Sequence, residues 1–441
     1  QWRGHAAAAA GAPAPRSSLA RWAAFLSIPA GAAAVGLGTN YVGVQMLFAP
    51  LEFAGVELWR ERGSPYGAFG WQGVVPARAE RMAERLTRVV SEQLLSLEEA
   101  FANIESAALA ALLAPTVEDA IRRHAENGDA WARLLRGPLL RKALRDVVDA
   151  LKDDISTVLD LDEVVRSAFV RDVRVLVELF QKVGSAELSF LVNSGAFFGF
   201  ALGVAQGACW RAYPHAWTLP VAGAVVGYVT NLVAITLLFD PAEPIDCCGL
   251  FEVQAMFSKR QPEVSMAFSD FLSERVLTSP RLIAELSSGN FRREFEALLR
   301  RTVPALVPDS VVNAAAMGLQ ELATESRQHA THAYLAEQLA LRDTLCVRLM
   351  ALPPKAFEEL LHPVFQEDEI ILIVVGGVLG ALVGLAQMRF GVGSASAPVI
   401  ARAAASLATR GAKGTRGNPM LAAAAKPVAA GARSTSGGHT R

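Results

Sequence analysis

The sequence predicts an all-α integral membrane protein made of two tandem parallel repeats. Each repeat reads as a span, an amphipathic helical segment and a glycine-rich span, giving four transmembrane helices in total. Three observations carry this. The stretch from Ile28 to Glu52, IPAGAAAVGLGTNYVGVQMLFAPLE, returns without a gap from Leu219 to Glu243 as LPVAGAVVGYVTNLVAITLLFDPAE. Two other apolar stretches, Leu188 to Gln206 and the run that ends at Gln387, carry glycine at every fourth position and leave through the same Ala-Gln pair. The chain is also 52% hydrophobic with a mean hydropathy of +0.29, more apolar than a soluble domain usually is.

Net charge, -1 over 441 residues, hides an uneven distribution. Residues 1–51 and 390–441 contain no Asp or Glu, so the acids lie between the spans, mixed with bases as on solvated helices. No basic block interleaved with aromatics points to nucleic acid. The expected partners are the lipid bilayer and, on the helical side, other proteins or a second copy. The cysteines, Cys209, Cys247, Cys248 and Cys346, form neither a disulfide framework nor a metal motif. The adjacent pair reads as ordinary thiols, with juxtamembrane acylation as the alternative. No cofactor and no metal are expected.

Residues 1–22 are alanine-rich, contain Arg3 and Arg16, lack acids and do not begin with Met. That is the composition of a processed organelle transit peptide, which would imply a plastid membrane, or of a disordered leader with no address. The first span, 23–48, is long enough for a hydrocarbon layer of about 30 Å. Ala32, Gly36 and Asn40 recur there every four residues, and Gly223, Gly227 and Asn231 repeat them in the third span, 219–239. Small residues at this spacing let another helix approach closely.

The helical segment 50–187 opens with a loop of interfacial character holding Trp59 and Trp71. A helix follows, with Met82, Leu86, Val90, Leu94, Leu97, Phe101 and Ile104 on its apolar side. The next is expected to start at Thr116, whose hydroxyl can cap it, and interruptions fall at Asn127-Gly128 and Gly137-Pro138. No β alternation of useful length occurs. The second span, 188–206, carries Gly195, Gly199 and Gly203, and residues 207–218 form a tight hairpin with Trp210, Tyr213 and Trp217.

In the second helical segment, 240–368, Gln254, Lys259-Arg260 and Ser273-Glu274 answer Gln72, Ala77-Arg78 and Ser91-Glu92. Ser279-Pro280 and Asn290 are helix starts, and Asp309 to Leu349 holds more than one helix. The fourth span, 369–388, carries Gly376, Gly380 and Gly384. The basic tail, 389–441, cannot bury enough to order itself; it either touches an anionic surface or only solubilises. Because the first and third spans cross in the same direction, the repeats are parallel, with a pseudo-two-fold axis along the membrane normal. Both helical segments then share one side, and the termini and hairpin the other.

The pattern GxxTNxxAxxxLFxP, here Gly227, Thr230, Asn231, Ala234, Leu238, Phe239 and Pro241, resembles the membrane family catalogued as domain of unknown function 445. Trp71-Gln72-Gly73 with Pro76, Leu176 to Gly184, and HPVFQEDE from His362 to Glu369 extend the likeness over residues 25–390. The first copy departs in having Gly43 where the pattern has Ala. The resemblance implies large helical insertions in a membrane protein and no established biochemical role.

The leading candidate site is the membrane-core polar pair, Thr39-Asn40 with Thr230-Asn231. A buried amide must find a partner. The two asparagines either bond each other or nearby backbone and lock the bundle, or line a polar path for an ion or small solute at the repeat interface. Neither span contains an ionisable acid or base. His329 and His332 lie three apart on a helical stretch, which favours a solvated face over a shared metal. His362, Glu178 and Glu359, near the returns to the membrane, are weaker candidates for an interface, proton or metal role. No nucleophile elbow, Walker loop or dinucleotide motif is present. The sequence therefore favours a non-enzymatic scaffold or tether, with a transporter or channel as the alternative and a membrane-surface enzyme third.

Overall fold

The computed structural model describes residues 18–56, 63–67, 69–213, 215, 217–241, 243–247, 251–288, 291–324, 330–358 and 369–389. Among the described residues the fold is all-α apart from a small three-stranded sheet and a two-stranded one. In chain order the helices are α1 (Ser18–Phe48), α2 (Val74–Ala77), α3 (Ala79–Val89), α4 (Leu97–Ala102), α5 (Ser106–His124), α6 (Gly128–Leu134), α7 (Pro138–Asp153), α8 (Ile155–Val158), α9 (Leu161–Arg171) and α10 (Val173–Val183). They continue as α11 (Ser185–Ala212), α12 (Thr218–Phe239), α13 (Met256–Lys259), α14 (Gln261–Phe271), α15 (Ser279–Ser288), α16 (Arg292–Thr302), α17 (Asp309–Thr324), α18 (Ala330–Leu339), α19 (Leu341–Ala351) and α20 (Glu369–Arg389).

Two units divide this chain. The first takes its described helices from α1, α11, α12 and α20. Its surface is apolar where a soluble protein's would be polar: Val221, Val225, Tyr228 and Leu232 form an exposed stripe on α12, and Val374, Val378, Leu382 and Leu385 one on α20. Apolar surface of this extent suits lipid, since water would penalise it. Among the described residues two helices are long and apolar enough to cross a membrane, at Ser185–Trp210 and Thr218–Leu238. That is fewer than the four spans expected. In α20 the apolar run among the described side chains is Ile373–Arg389. The hairpin is also tighter than 207–218, because α11 runs on to Ala212. Tyr213 stacks on His215 with ring centroids 4.0 Å apart and meets the exposed Trp217 edge-on.

The second unit holds the remaining helices. Strands absent from the sequence reading occur in the two loops: β1 (Ala54–Val56), β2 (Tyr66–Gly67) and β3 (Phe69–Trp71) pair antiparallel in the order β1-β3-β2, and β4 (Ile245–Cys247) pairs with β5 (Phe251–Val253). They are too short for periodicity to reveal. The helix expected through Ile104 breaks earlier. After α3 the backbone widens into a π-helical turn at Val90–Leu94, and Ser96 then caps α4 by accepting from the Glu99 amide at 3.3 Å. The same order of short helix, helix and π turn recurs as α13, α14 and Leu272–Val276.

Thr116 is no cap. It lies inside α5, whose buried stripe of Leu109, Leu113, Val117 and Ile121 carries the helix straight across Pro115. The interruptions at Asn127 and Gly137 are real turns, both with positive φ, 54° and 70°, and Pro138 opens α7. The Ser279 start of α15 is observed, whereas Asn290 lies outside the described residues.

Helices from the two segments interlock in this unit. α5 lies along α17, and Arg123 clamps Glu321 through two bonds of 3.0 and 2.6 Å while His124 reaches the same carboxylate at 3.1 Å. These bonds, Arg123 first, hold the Glu321 carboxyl below the usual carboxylate range. A lowered folded-state pKa contributes stability above the unfolded value of about 4.3, and that contribution is lost as pH falls through the folded value. Glu321→Gln is therefore expected to lower the melting temperature slightly at neutral pH, and the difference from the native chain should vanish at acidic pH. The effect is small because the pair is partly exposed.

Candidate functional site

The polar pairs belong to two helix contacts built alike. In the first, α1 meets α11 through backbone. A Cβ on Gly36 would collide with the Gly195 carbonyl, one on Gly195 with the Gly36 carbonyl, one on Gly199 with the Ala32 carbonyl and one on Gly203 with Pro29. In the second, α12 meets α20 in the same way: Gly227 against Gly376, Gly223 against Gly380, and Gly384 against Leu219 and Pro220. Only glycine fits such crossings, and backbones brought this close gain dispersion contacts along several turns.

Each asparagine lies beside the glycine opposite it. Asn40 is buried, and its Nδ2 donates to the Leu191 carbonyl at 2.6 Å, a carbonyl that also accepts from Ser194 Oγ at 2.9 Å. Asn231 is likewise buried, with its Nδ2 against Gly376. Thr39 Oγ1 donates back to the Gly36 carbonyl at 3.1 Å and Thr230 Oγ1 to the Val226 carbonyl at 2.6 Å, so both hydroxyls are used within their own helices. Asn40→Leu removes an interhelical bond and places branched carbons against the Gly195 backbone. Its expected cost is about 1–2 kcal/mol, read as a lower midpoint in detergent unfolding.

Between the two pairs lies a cavity of about 30 Å³, lined by Thr39, Gln206, Thr230 and Gln387 together with the small residues Gly36, Gly227 and Gly384. It has room for about one water molecule. Gln206 and Gln387 were visible in the sequence only as the matching ends of two spans. Their place beside the threonines depends on the crossing of four helices, which spacing along one helix does not disclose.

Glu178 accepts from Arg275 at 3.1 Å in the helical unit, as one half of a surface ion pair. His362, Glu359 and His329 lie outside the described residues. His332 is not on a solvated face. It is buried, with Nε2 2.9 Å from the Leu322 carbonyl and Nδ1 3.2 Å from Ser279 Oγ, which makes it a core residue bridging α15, α17 and α18. No group of residues able to hold a metal occurs among the described residues.

Comparison with known proteins agrees with this setting. The UPF0754 membrane protein of Staphylococcus aureus strain MRSA252 is 27% identical over 96 residues, 21% of this chain and 25% of the relative. Its counterpart in strain JH9 is 26% identical over the same share. These relatives are membrane proteins by name. The chain thus matches about a quarter of the length of the curated relatives. No family model matches the chain, and no solved structure does.

Proposed function

We propose that the chain is a multi-pass membrane protein in which α1, α11, α12 and α20 all cross the bilayer, as two copies of one unit, and that it acts as a membrane-anchored helical scaffold or tether. The observation carrying this reading is the glycine contact at Gly36–Gly195 and Gly227–Gly376, which joins each pair of helices at backbone distance. Such a contact suits a fixed anchor. The asparagines are then packing residues, and the helical unit is the part that meets partners. The recurrence of the glycine contacts and of the π turn after matching helices supports a duplicated origin.

A transport reading draws on Thr39, Gln206, Thr230 and Gln387 around one small cavity. Its volume, about 30 Å³, favours the anchor. Two measurements separate the readings. Cross-linking in native membranes followed by purification should recover a reproducible protein partner or a second copy, and its absence would count against the scaffold. Reconstituted vesicles should show no solute or ion flux that is sensitive to Gln206→Leu with Gln387→Leu, and such a flux would replace the scaffold with transport.

A further inference from the structure

The helical unit contains an apolar interior space that its own side chains do not fill. An inner chamber of about 100 Å³ lies among α5, α7, α15 and α17, walled by residues such as Leu113, Leu282 and Leu319, with no polar surface in its lining. An outer chamber of about 330 Å³ borders it. The two share Val117, Leu144, Val147, Leu299 and Ala315, so they adjoin one another. Volumes on the order of 300–1,000 Å³ are those of small-molecule sites. Both chambers are partly open, and apolar walls left facing water favour an apolar occupant.

The outer chamber shows what. Leu139 on its wall is 57% exposed, and Leu306, beside the lining residues Pro304 and Val307, is 89% exposed. Large apolar side chains facing outward at the mouth suit a ligand that arrives from an apolar phase. Lys142 lines the same chamber, next to the exposed Arg141. Neither cation has an ion pair among the described residues, whereas Arg145 on the same helix is paired with Asp149 at 3.7 Å. Asp146 is the carboxylate in this lining. A mostly apolar chamber with the unpaired Lys142 in its lining suits an unbranched hydrocarbon chain carrying an anionic head.

We propose that this cavity binds the acyl chain of an anionic single-chain amphiphile, a fatty acid or a lysophospholipid, with Arg141 and Lys142 holding the head. The test uses the full chain in nanodiscs of phosphatidylcholine and a palmitate carrying a photoactivatable diazirine near its methyl end. Cross-linked peptides should come from α5, α15 and α17, with Leu113, Leu282 and Leu319 among the labelled residues. Excess unlabelled palmitate should abolish the labelling, lysophosphatidate should compete, and hexadecanol or inorganic phosphate should compete at least tenfold less well. Ala315→Phe, placed where the chambers join, should reduce inner-chamber labelling to background while retaining a cooperative melt. Arg141→Gln with Lys142→Gln, on an exposed helix face, should weaken palmitate at least tenfold and leave hexadecanol unchanged. Labelling confined to α11, α12 and α20, labelling unaffected by competitor, or equal competition by hexadecanol would overturn the assignment.

Discussion

Gly36→Ala is expected to destabilise the membrane unit, and Gly38→Ala, two residues away on the same helix, to leave it unchanged or slightly more stable. The added Cβ at Gly36 meets the Gly195 backbone, which cannot move without parting α1 from α11. The overpacking cost is about 1–3 kcal/mol. At Gly38 nothing lies within 4 Å of the new methyl, so only the gain in helix propensity remains, about 0.5–1 kcal/mol. Gly227→Ala should repeat the loss through Gly376. Unfolding in mixed micelles, followed by circular dichroism, reads both signs. Equal effects at Gly36 and Gly38 would mean that the glycine spacing reflects composition rather than contact.

Phe257→Ala is the largest single loss expected in the helical unit. Its ring is buried and stacks on the equally buried Phe357 with centroids 4.9 Å apart and planes at 14°. Nearby, Gln261 Nε2 donates to the Leu349 and Leu352 carbonyls at 2.9 Å each, closing the end of α19. Truncating the ring removes apolar burial and leaves a cavity, at a cost of about 3–5 kcal/mol, a large part of a domain's net stability. With Phe357→Ala the losses should not add, because the stacking energy of about 0.5–1.5 kcal/mol is counted in both. Denaturant titration of the double-mutant cycle measures this, and strict additivity would show that the stack contributes nothing.

The helical character of the chain could be read from its sequence, since periodicity and breakers such as Asn127 and Gly137 act locally. The small-residue face of α1 could be read as well, but its partner could not: the spacing of Gly36 and Asn40 says that a helix comes close without saying which. Thr116 misled because a cap and a helix-interior threonine after proline look alike until the apolar stripe on both sides of Pro115 is followed. His332 misled because its polar neighbours suggested solvent, whereas burial is decided by α15 and α17. The apolar space in the helical unit was invisible, because leucines and valines at core spacing read the same whether they touch or leave a gap.

The number of crossings is the claim on which the scaffold reading rests. Four crossings put the residues before α1, the α11–α12 hairpin and the residues after α20 on one side of the bilayer. Single cysteines in an otherwise cysteine-free chain test this: Ser17→Cys, Tyr213→Cys in the hairpin, Ser394→Cys, and Leu306→Cys on the helical unit, each labelled with an impermeant maleimide in sealed vesicles of known orientation. The account predicts that positions 17, 213 and 394 label from one side and position 306 from the other. Labelling of position 17 or 394 from the side of position 306 would remove α1 or α20 from the membrane and contradict it.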